Sequence, residues 1–239
     1  MFITFSDDTP ASKKIPWANT FMIIVNVTIA YLTIGHDDFM DVLNRFGFIP
    51  ARHLNWTVFT GMFLHSSWTQ LVANMSFLFF FGKGVENEWG RKRYFLTYFL
   101  CALAGEAAHR IFHPDSTFAL IGASRVVTGM GVVYLLHYPW GKMKWIFSFF
   151  GVPLLEIPSR TLLVMGLWGV VQAMMAFIPW GELPKLFPFL ARFSGTLFTT
   201  HPTAGTAWDA HLGAVVVAFV LFACFSGFKG LKKKKKKRK

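Results

Sequence analysis

Charged residues are scarce in this chain of 239 residues. They make up 15% of it, whereas soluble domains of similar length carry about 25%. Apolar residues make up 54% and aromatic residues 18%, with 28 phenylalanines among them. This composition is not typical of a soluble enzyme, and the apolar runs described below leave no room for a separate soluble domain.

Cysteine is equally rare, since Cys101 and Cys224 are the only two. Each lies in an apolar run, without a partner at the spacing of a zinc site or a disulfide framework. Both are interpreted as small apolar packing residues. No metal and no cofactor are expected from this sequence.

Long apolar runs are the main feature of this sequence. A membrane-spanning helix needs about 20 mostly apolar residues, and the chain offers six candidates: 18–35, 57–82, 94–112, 118–138, 161–180 and 210–228. The predicted fold class is therefore an all-α integral membrane bundle of six spans. The apolar stretch 145–155, before the fifth span, is interpreted as a re-entrant or interfacial segment.

The distribution of basic residues predicts the orientation of the bundle. Both termini are placed in the cytoplasm, because basic residues accumulate on the inner side of membranes. The inner segments then hold Lys13, Lys14, Lys83, Arg91, Lys92, Arg93, Lys142, Lys144, Arg160 and the basic residues after 228. The outer segments hold only Arg45, Arg52, Arg110, Lys185 and Arg192.

Three regions follow from this topology: a cytoplasmic N-terminal segment, 1–17; the membrane domain, 18–228; and a polybasic cytoplasmic tail, 229–239. The first 16 residues are polar and include Asp7 and Asp8, so no secretory signal peptide is expected. Two lone cysteines and the compact length favour a bacterial inner membrane.

The net charge of +12 comes largely from the tail, which contains Lys229, Lys232 to Lys237, Arg238 and Lys239. In other contexts such a tract is typical of nucleic-acid binding or of a localisation signal. Directly after a membrane span it is predicted to bind anionic lipid headgroups, at about 1 kcal/mol per cation. No nucleic-acid partner is expected.

Two outer loops have apolar patterns of their own. Phe39, Val42, Leu43 and Phe46 follow the i, i+3, i+4, i+7 spacing of one helix face, which predicts an amphipathic helix lying on the membrane. Residues 186–193, flanked by prolines and a glycine, are predicted to form a mobile flap at the outer surface.

Polar side chains within the spans are candidates for function, because burying them in a bilayer is costly. The second span carries His65, Gln70 and Asn74, and the last two share a helix face. Any one of them alone is typical of interhelical hydrogen bonding.

A serine and a histidine stand near the outer ends of two spans. The fourth span opens with Gly122-Ala123-Ser124-Arg125 and the sixth with Ala210-His211-Leu212-Gly213. Both spans run from outside to inside, so Ser124 and His211 are expected at similar depth. Small residues are predicted to let these two helices pack closely: Gly129, Gly131, Gly213, Ala214 and Ala218.

Serine needs an adjacent base to act as a nucleophile, and His211 is the candidate. Acyl transfer also needs donors directed at the developing oxyanion, for which Asn74, Gln70 and the Ser124 backbone N–H are the candidates. Asp209 is two residues from His211, on roughly the opposite helix face, and is not expected to orient it.

These segments together resemble the rhomboid family of intramembrane serine proteases, in order and in spacing. They are Met62 to Trp68, Asn74-Met75, Phe81-Gly82 with Val85-Glu86, Gly122-Ala123-Ser124 and Ala210-His211-Leu212-Gly213. The resemblance implies that Ser124 is the nucleophile, His211 the base and Asn74 part of the oxyanion hole. It implies structural or near-site roles for His65, Glu86, Gly122, Thr128 and Gly213.

The chain departs from the family pattern at several positions. Arg125 stands where the family usually has glycine after the nucleophile, and Gln70 stands where it usually has histidine. Val132 stands where the family usually has a small residue in the fourth helix. Ala214 and Ala218 stand where it usually has glycine after the histidine. Arg125 is expected either to lie near the dyad, opposing protonation of His211, or to turn away towards water or Glu106.

Two functions follow. The first is a serine endopeptidase that cleaves membrane-anchored proteins near the outer membrane surface by a Ser-His dyad. The alternative, motivated by Arg125 and Gln70, is a rhomboid-like pseudoprotease that binds transmembrane helices of client proteins without cutting them. A transporter or channel has little support, because the spans lack charged pairs along a midplane path.

Overall fold

The computed structural model describes residues 2–7, 15–149, 152–177 and 208–226. The predicted outer flap, 186–193, and the polybasic tail, 229–239, lie outside the described residues. The backbone alone is described for 2–7, 143–149, 152–157 and 171–177.

Most of the described chain is helical, consistent with the predicted all-α class. The helices are α1 (Trp17–Thr33), α2 (Phe39–Phe46), α3 (Thr57–Thr60), α4 (Trp68–Phe77), α5 (Lys83–Phe112), α6 (Ser124–His137), α7 (Thr161–Phe177) and α8 (Trp208–Ser226). A 3₁₀ turn, Gly61–Phe63, follows α3, and a π-helical turn, Leu78–Gly82, joins α4 to α5. The amphipathic helix predicted in the first outer loop is α2, with matching bounds.

The second predicted span, 57–82, is divided in a way the sequence did not indicate. Ser67 caps the N-terminus of α4, where its side chain accepts a hydrogen bond from the Gln70 backbone N–H at 3.2 Å. The helix therefore begins at Trp68, and His65 lies in the loop before it rather than on the span. At the other end, the helical backbone continues beyond residue 82 into α5. It is interrupted at Gly90, whose φ of 77° is readily adopted only by glycine.

Within the described residues, one helix, α8, is long and apolar enough to cross a membrane, judged by its length and composition. Helix α1 and the segment Thr161–Val170 of α7 are apolar but shorter. The count of six spans therefore stays a prediction.

The apolar core is accompanied by two features that are unusual in a soluble protein. Large apolar side chains are exposed along α1, α7 and α8, and several polar or charged side chains are buried, including Asn19, Asn26, Glu106 and Arg125. Such an arrangement is expected where the surrounding solvent is lipid, because polar groups then find partners only inside the protein.

A short antiparallel sheet with strand order β1-β2-β3 accompanies the helices. Its strands are β1 (Phe2–Asp7), β2 (Lys142–Phe149) and β3 (Val152–Arg160), with Phe2 opposite Ser148 and Lys142 opposite Arg160. The stretch 145–155, for which the sequence suggests a re-entrant or interfacial segment, lies in the β2–β3 hairpin. Pro153 and Pro158 oppose helix formation, and β3 tolerates them because it is an edge strand.

Glu86 attaches α1 to α5. Its carboxylate is buried and accepts hydrogen bonds from the backbone N–H groups of Ala18, at 3.1 Å, and Asn19, at 2.8 Å. These are N–H groups of the first turn of α1, which lack partners within the helix and favour a negative charge. The structural role that the rhomboid resemblance implies for Glu86 is thus a helix cap.

We expect Glu86→Ala to destabilise the protein, because it removes two hydrogen bonds to a charged acceptor, each contributing about 1.5–3 kcal/mol. Thermal unfolding in detergent, followed by far-UV circular dichroism, measures the effect. Glu88→Ala is the matched control, since the Glu88 carboxylate is exposed and accepts a hydrogen bond from the Tyr138 hydroxyl. Equal melting temperatures for the two variants would contradict the capping role.

Candidate active site

Ser124 is the first residue of α6 and is half-buried. The tight turn before it depends on Gly122, which has a φ of 97° and donates its N–H to the Gly61 carbonyl oxygen at 3.0 Å. A Cβ atom on Gly122 would lie 3.1 Å from Gln70 Nε2. The glycine therefore allows the Gln70 amide to approach the backbone that leads into Ser124.

His211 lies in the first turns of α8 and is buried, with 7% of its surface exposed. Its Nδ1 atom is 2.8 Å from Thr128 Oγ1. The Trp168 ring of α7 meets the imidazole edge-on, with centroids 6.3 Å apart and an interplanar angle of 86°. Three helices, α6, α7 and α8, thus contribute side chains to the surroundings of His211.

The tautomer of His211 is coupled to the hydrogen bonds of the Thr128 hydroxyl. A hydroxyl has one proton to donate and two lone pairs to accept with. Thr128 Oγ1 lies 3.1 Å from the Ser124 carbonyl oxygen and accepts from Trp168 Nε1 at 3.4 Å. If the hydroxyl donates to the Ser124 carbonyl oxygen, His211 donates from Nδ1–H to Thr128 Oγ1 and keeps a lone pair on Nε2. If it donates to Nδ1 instead, the neutral ring carries its proton on Nε2.

Ser124 and His211 are linked through Thr128 and not directly. Both residues belong to the part of the chain that the structure describes, and no hydrogen bond joins the Ser124 hydroxyl to the His211 ring. Catalytic hydrogen bonds are often long without substrate and tighten only in its complex. The Ser-His dyad stays a prediction on this geometry.

The two side-chain amides predicted to bind an oxyanion differ in their surroundings. Asn74 is buried in α4, and its Nδ2 atom has no partner among the described residues. Gln70 Oε1 accepts from the backbone N–H of Ser66 at 2.8 Å and from its hydroxyl at 3.2 Å, which leaves Nε2 beside Gly122. A buried donor without an acceptor is costly, and that of Asn74 is the kind of group that an arriving oxyanion would satisfy.

His65 is fully buried in the loop before α4. Its Nδ1 atom is 3.1 Å from the Phe63 carbonyl oxygen, and its Nε2 atom has no partner in the described part of the chain. The structure thus assigns it a loop contact and does not bring it into hydrogen-bond contact with Ser124 or His211.

Arg125 turns towards α5. It is 1% exposed, and its Nη2 atom lies 2.5 Å from Glu106 Oε1. Its other nitrogens donate to the carbonyl oxygens of Gly122, at 3.0 Å, and Ala102, at 3.2 Å. A Cβ on Gly105 would lie 2.6 Å from Arg125 Cδ, so this glycine provides space for the long side chain. The contact with Glu106 that the sequence left open is found, and the same Cβ on Gly105 would also lie 2.7 Å from the Ala210 carbonyl oxygen, next to His211.

Gly213 packs against α5 and not against α6. A Cβ at this position would lie 2.3 Å from the Ala104 carbonyl oxygen and 2.8 Å from Ala108 Cβ. The prediction that Gly213 allows the fourth and sixth spans to approach each other is therefore wrong. The physical reason is that α5 lies along α8 and takes up this close approach.

Two glycines of α6 also face other elements. A Cβ on Gly129 would lie 2.3 Å from Cys101 Sγ of α5 and 3.5 Å from the Ala214 carbonyl oxygen of α8. A Cβ on Gly131 would lie 2.7 Å from Met165 Cε of α7. Close α6–α8 packing therefore involves Gly129 and Ala214, whereas Gly131 accommodates α7.

Sequence reasoning missed two features near His211. Trp168 could not be identified, because a tryptophan in an apolar span has the pattern of ordinary packing. Thr128 was predicted to lie near the site, but its contact with His211 was not predicted. Its position four residues after Ser124, on the same helix face, is the signal that could have indicated this contact.

Asp209 accepts a hydrogen bond from His109 Nδ1 at 2.7 Å. This contact is consistent with the prediction that Asp209 does not orient His211.

A cavity of about 520 Å³ lies elsewhere, between the segment 48–58 and the C-terminal part of α5. Apolar side chains line most of it, with Glu106 and Arg110 at its wall. Neither Ser124 nor His211 lines this cavity, so it is separate from the candidate active site.

We expect Glu106→Gln to lower the free energy of unfolding by about 3–5 kcal/mol, because it leaves a buried guanidinium without its counter-charge. The double variant Glu106→Leu/Arg125→Met, which removes both charges, should recover most of this loss. Denaturant unfolding in mixed micelles measures both. A single variant as stable as the unmodified chain would show that the ion pair does not stabilise the α5–α6 contact.

Comparison with known proteins agrees with the motifs. The family model for the Rhomboid domain matches residues 52–228. Rhomboid-like protease 3 of Toxoplasma gondii is 29% identical over 126 residues, which are 51% of this chain and 46% of that protein. Rhomboid-like protein 11, chloroplastic, of Arabidopsis thaliana is 26% identical over 161 residues, 67% of this chain and 49% of that protein.

This chain therefore spans about half the length of these curated relatives. The family match nevertheless covers most of the chain and includes the segments that contain Asn74, Ser124 and His211. The chain belongs to the rhomboid family of integral membrane proteins.

Proposed function

We propose that this protein is an intramembrane serine endopeptidase that cleaves membrane-anchored protein substrates near the outer membrane surface. The observation that carries the proposal is the Thr128 hydroxyl, which bonds the Ser124 carbonyl oxygen at 3.1 Å and His211 Nδ1 at 2.8 Å. This arrangement supports a base whose Nε2 lone pair is available at the end of α6 where Ser124 lies.

The proposed reaction is acyl transfer in two steps. His211 Nε2 takes the proton of Ser124 Oγ as that oxygen attacks the scissile carbonyl carbon, and the imidazolium then gives the proton to the leaving amine. Water next attacks the acyl-enzyme while His211 accepts one of its protons and returns it to Ser124 Oγ. The products are a free carboxylate and a regenerated serine.

The oxyanion of each tetrahedral intermediate needs donors fixed before the reaction. The unpartnered Asn74 Nδ2 supports a role as one such donor. Gln70 Nε2 and the backbone N–H of Ser124 are the others that we propose. Since Gln70 is oriented through its bonds to Ser66, replacement of the usual family histidine by glutamine retains a hydrogen-bond donor.

Thr128 takes the orienting role that a carboxylate has in a catalytic triad. Asp209, the nearest carboxylate along α8, is occupied by His109. A hydroxyl acceptor fixes the tautomer of His211 but stabilises the imidazolium less than a carboxylate does, because it carries no charge. The site is thus a dyad with a neutral positioning residue.

The alternative function is that of a rhomboid-like pseudoprotease that binds transmembrane helices of client proteins. The observation that favours it is the missing hydrogen bond between Ser124 and His211, both of which are described. The contact of Arg125 with Glu106 favours the protease, because the carboxylate compensates the charge of the added cation within the α5–α6 contact.

The proposed setting is a multi-pass protein of the bacterial inner membrane, with both termini in the cytoplasm. Residues 186–193 would gate substrate entry, and the tail, 229–239, would bind anionic lipid headgroups. Single-span membrane proteins are the proposed substrates, since they can reach the dyad from the lipid.

We expect Ser124→Ala and His211→Ala each to lower the cleavage rate of a single-span reporter substrate by about four orders of magnitude or more, because each removes a group that reacts. The rate is measured with full-length protein in liposomes. His36→Ala is the control, since His36 is exposed on the loop after α1. Cleavage that persists in either dyad variant would overturn the proposal.

We expect Thr128→Val to lower kcat about 10- to 100-fold with little change in KM, because it removes the acceptor of the His211 Nδ1 proton while part of the general-base contribution remains. Thr128→Ser keeps the hydroxyl and should retain most of the activity. If the valine and serine variants have equal kcat, the hydroxyl does not position His211.

A further inference from the structure

We propose that His109, His113 and Asp209 form a binding site for a divalent transition metal ion, with Zn²⁺ as the best fit. The site lies where the C-terminal end of α5 meets the first turn of α8. It is separate from the Ser124–His211 pair and does not depend on the proposed protease activity. The sequence has no cysteine zinc motif, and cysteine spacing does not reveal a mixed histidine and carboxylate site.

The three side chains converge from two helices. His109 lies in the last turn of α5, and His113 is the residue directly after the helix, with its N–H bonded to the His109 carbonyl oxygen. Their rings are 5.1 Å apart, centroid to centroid. One donor atom from each of the three residues lies within 4.8 Å of the others. This separation is small enough for one ion to contact all three after minor side-chain rotation.

Asp209 is incompletely satisfied in its present contacts. Its Oδ2 atom is 2.7 Å from His109 Nδ1 and 3.7 Å from His113 Nε2. The side chain is 0% exposed, yet its Oδ1 atom has no hydrogen-bond partner among the described residues. A buried carboxylate with a free oxygen is costly, and a bound cation would neutralise its charge.

The donor set matches the chemistry of zinc. Imidazole nitrogen and carboxylate oxygen both bind Zn²⁺, at about 2.0–2.2 Å, whereas Ca²⁺ and Mg²⁺ prefer oxygen ligands. On binding, the metal would take the place of the His109 Nδ1 proton that now bonds to Asp209, and the neutral ring would carry its proton on Nε2 instead. Three protein ligands would leave a fourth position for water. Because His113 is half exposed, an ion can enter from solvent.

An ion in this position would connect two segments that are distant along the chain. It would bind the end of α5 to α8 at Asp209, two residues before His211. Since a ligand that binds only the folded state stabilises that state, Zn²⁺ should raise the melting temperature.

The test uses the full chain with Ser124→Ala, purified metal-free in detergent, so that proteolysis has no part in the result. Zinc chloride is titrated in competition with a chromogenic chelator, and thermal unfolding is recorded with and without zinc. We expect one equivalent of Zn²⁺ to bind and the melting temperature to rise. His113→Gln should weaken the affinity at least about tenfold, as even outer-shell changes weaken metal sites 10–100-fold.

His113 is chosen because its half-exposed ring can be replaced without disturbing the core, which far-UV circular dichroism verifies. His36→Gln is the matched control, because it removes an exposed histidine away from α5 and α8. Saturable binding lost in His113→Gln and kept in His36→Gln supports the site. Absence of saturable binding, or equal binding by both variants, overturns it. Neither outcome bears on whether Ser124 and His211 cleave substrates.

Discussion

The buried ion pair between Arg125 and Glu106 is the constraint around which the candidate site is arranged. Charges cannot remain unpaired in an apolar interior, so the guanidinium holds α6 against α5. It also bonds the Gly122 carbonyl oxygen, which fixes the turn that leads into Ser124. Gly105 complements the pair by leaving space for the arginine side chain. The substitution of arginine for the usual family glycine is thus accommodated by neighbouring residues.

With α6 held in this way, the position of His211 depends on α5 as much as on α6. Gly213 brings α8 onto the Ala104 backbone of α5, and Gly129 lets Cys101 of α5 reach the α6–α8 contact. Thr128 then meets His211 from α6 and bonds its Nδ1 atom. The same hydroxyl also bonds the Ser124 carbonyl oxygen and accepts from Trp168 Nε1, so it connects α6 to both α7 and α8.

Periodicity and motif spacing predicted the features that depend on local sequence. Helix α2 follows its apolar pattern, and the rhomboid segments identified the family. Contacts between elements that are distant along the chain could not be predicted from the sequence. The choice of Arg125 between water and Glu106, the packing of Gly213 on α5 and the pairing of the N-terminal strand with β2 all depend on the tertiary arrangement. The His109, His113 and Asp209 cluster escaped notice because its residues are adjacent only in space.

The central claim is that Ser124 is an activated nucleophile. Reaction of the full-length protein with a fluorophosphonate probe, followed by mass spectrometry of the labelled peptide, tests it most directly. A working dyad predicts a single label on Ser124 that disappears in His211→Ala while His36→Ala retains it. An unlabelled Ser124 in folded protein, or labelling that is independent of His211, would contradict the dyad and favour a protein that binds membrane helices without cutting them.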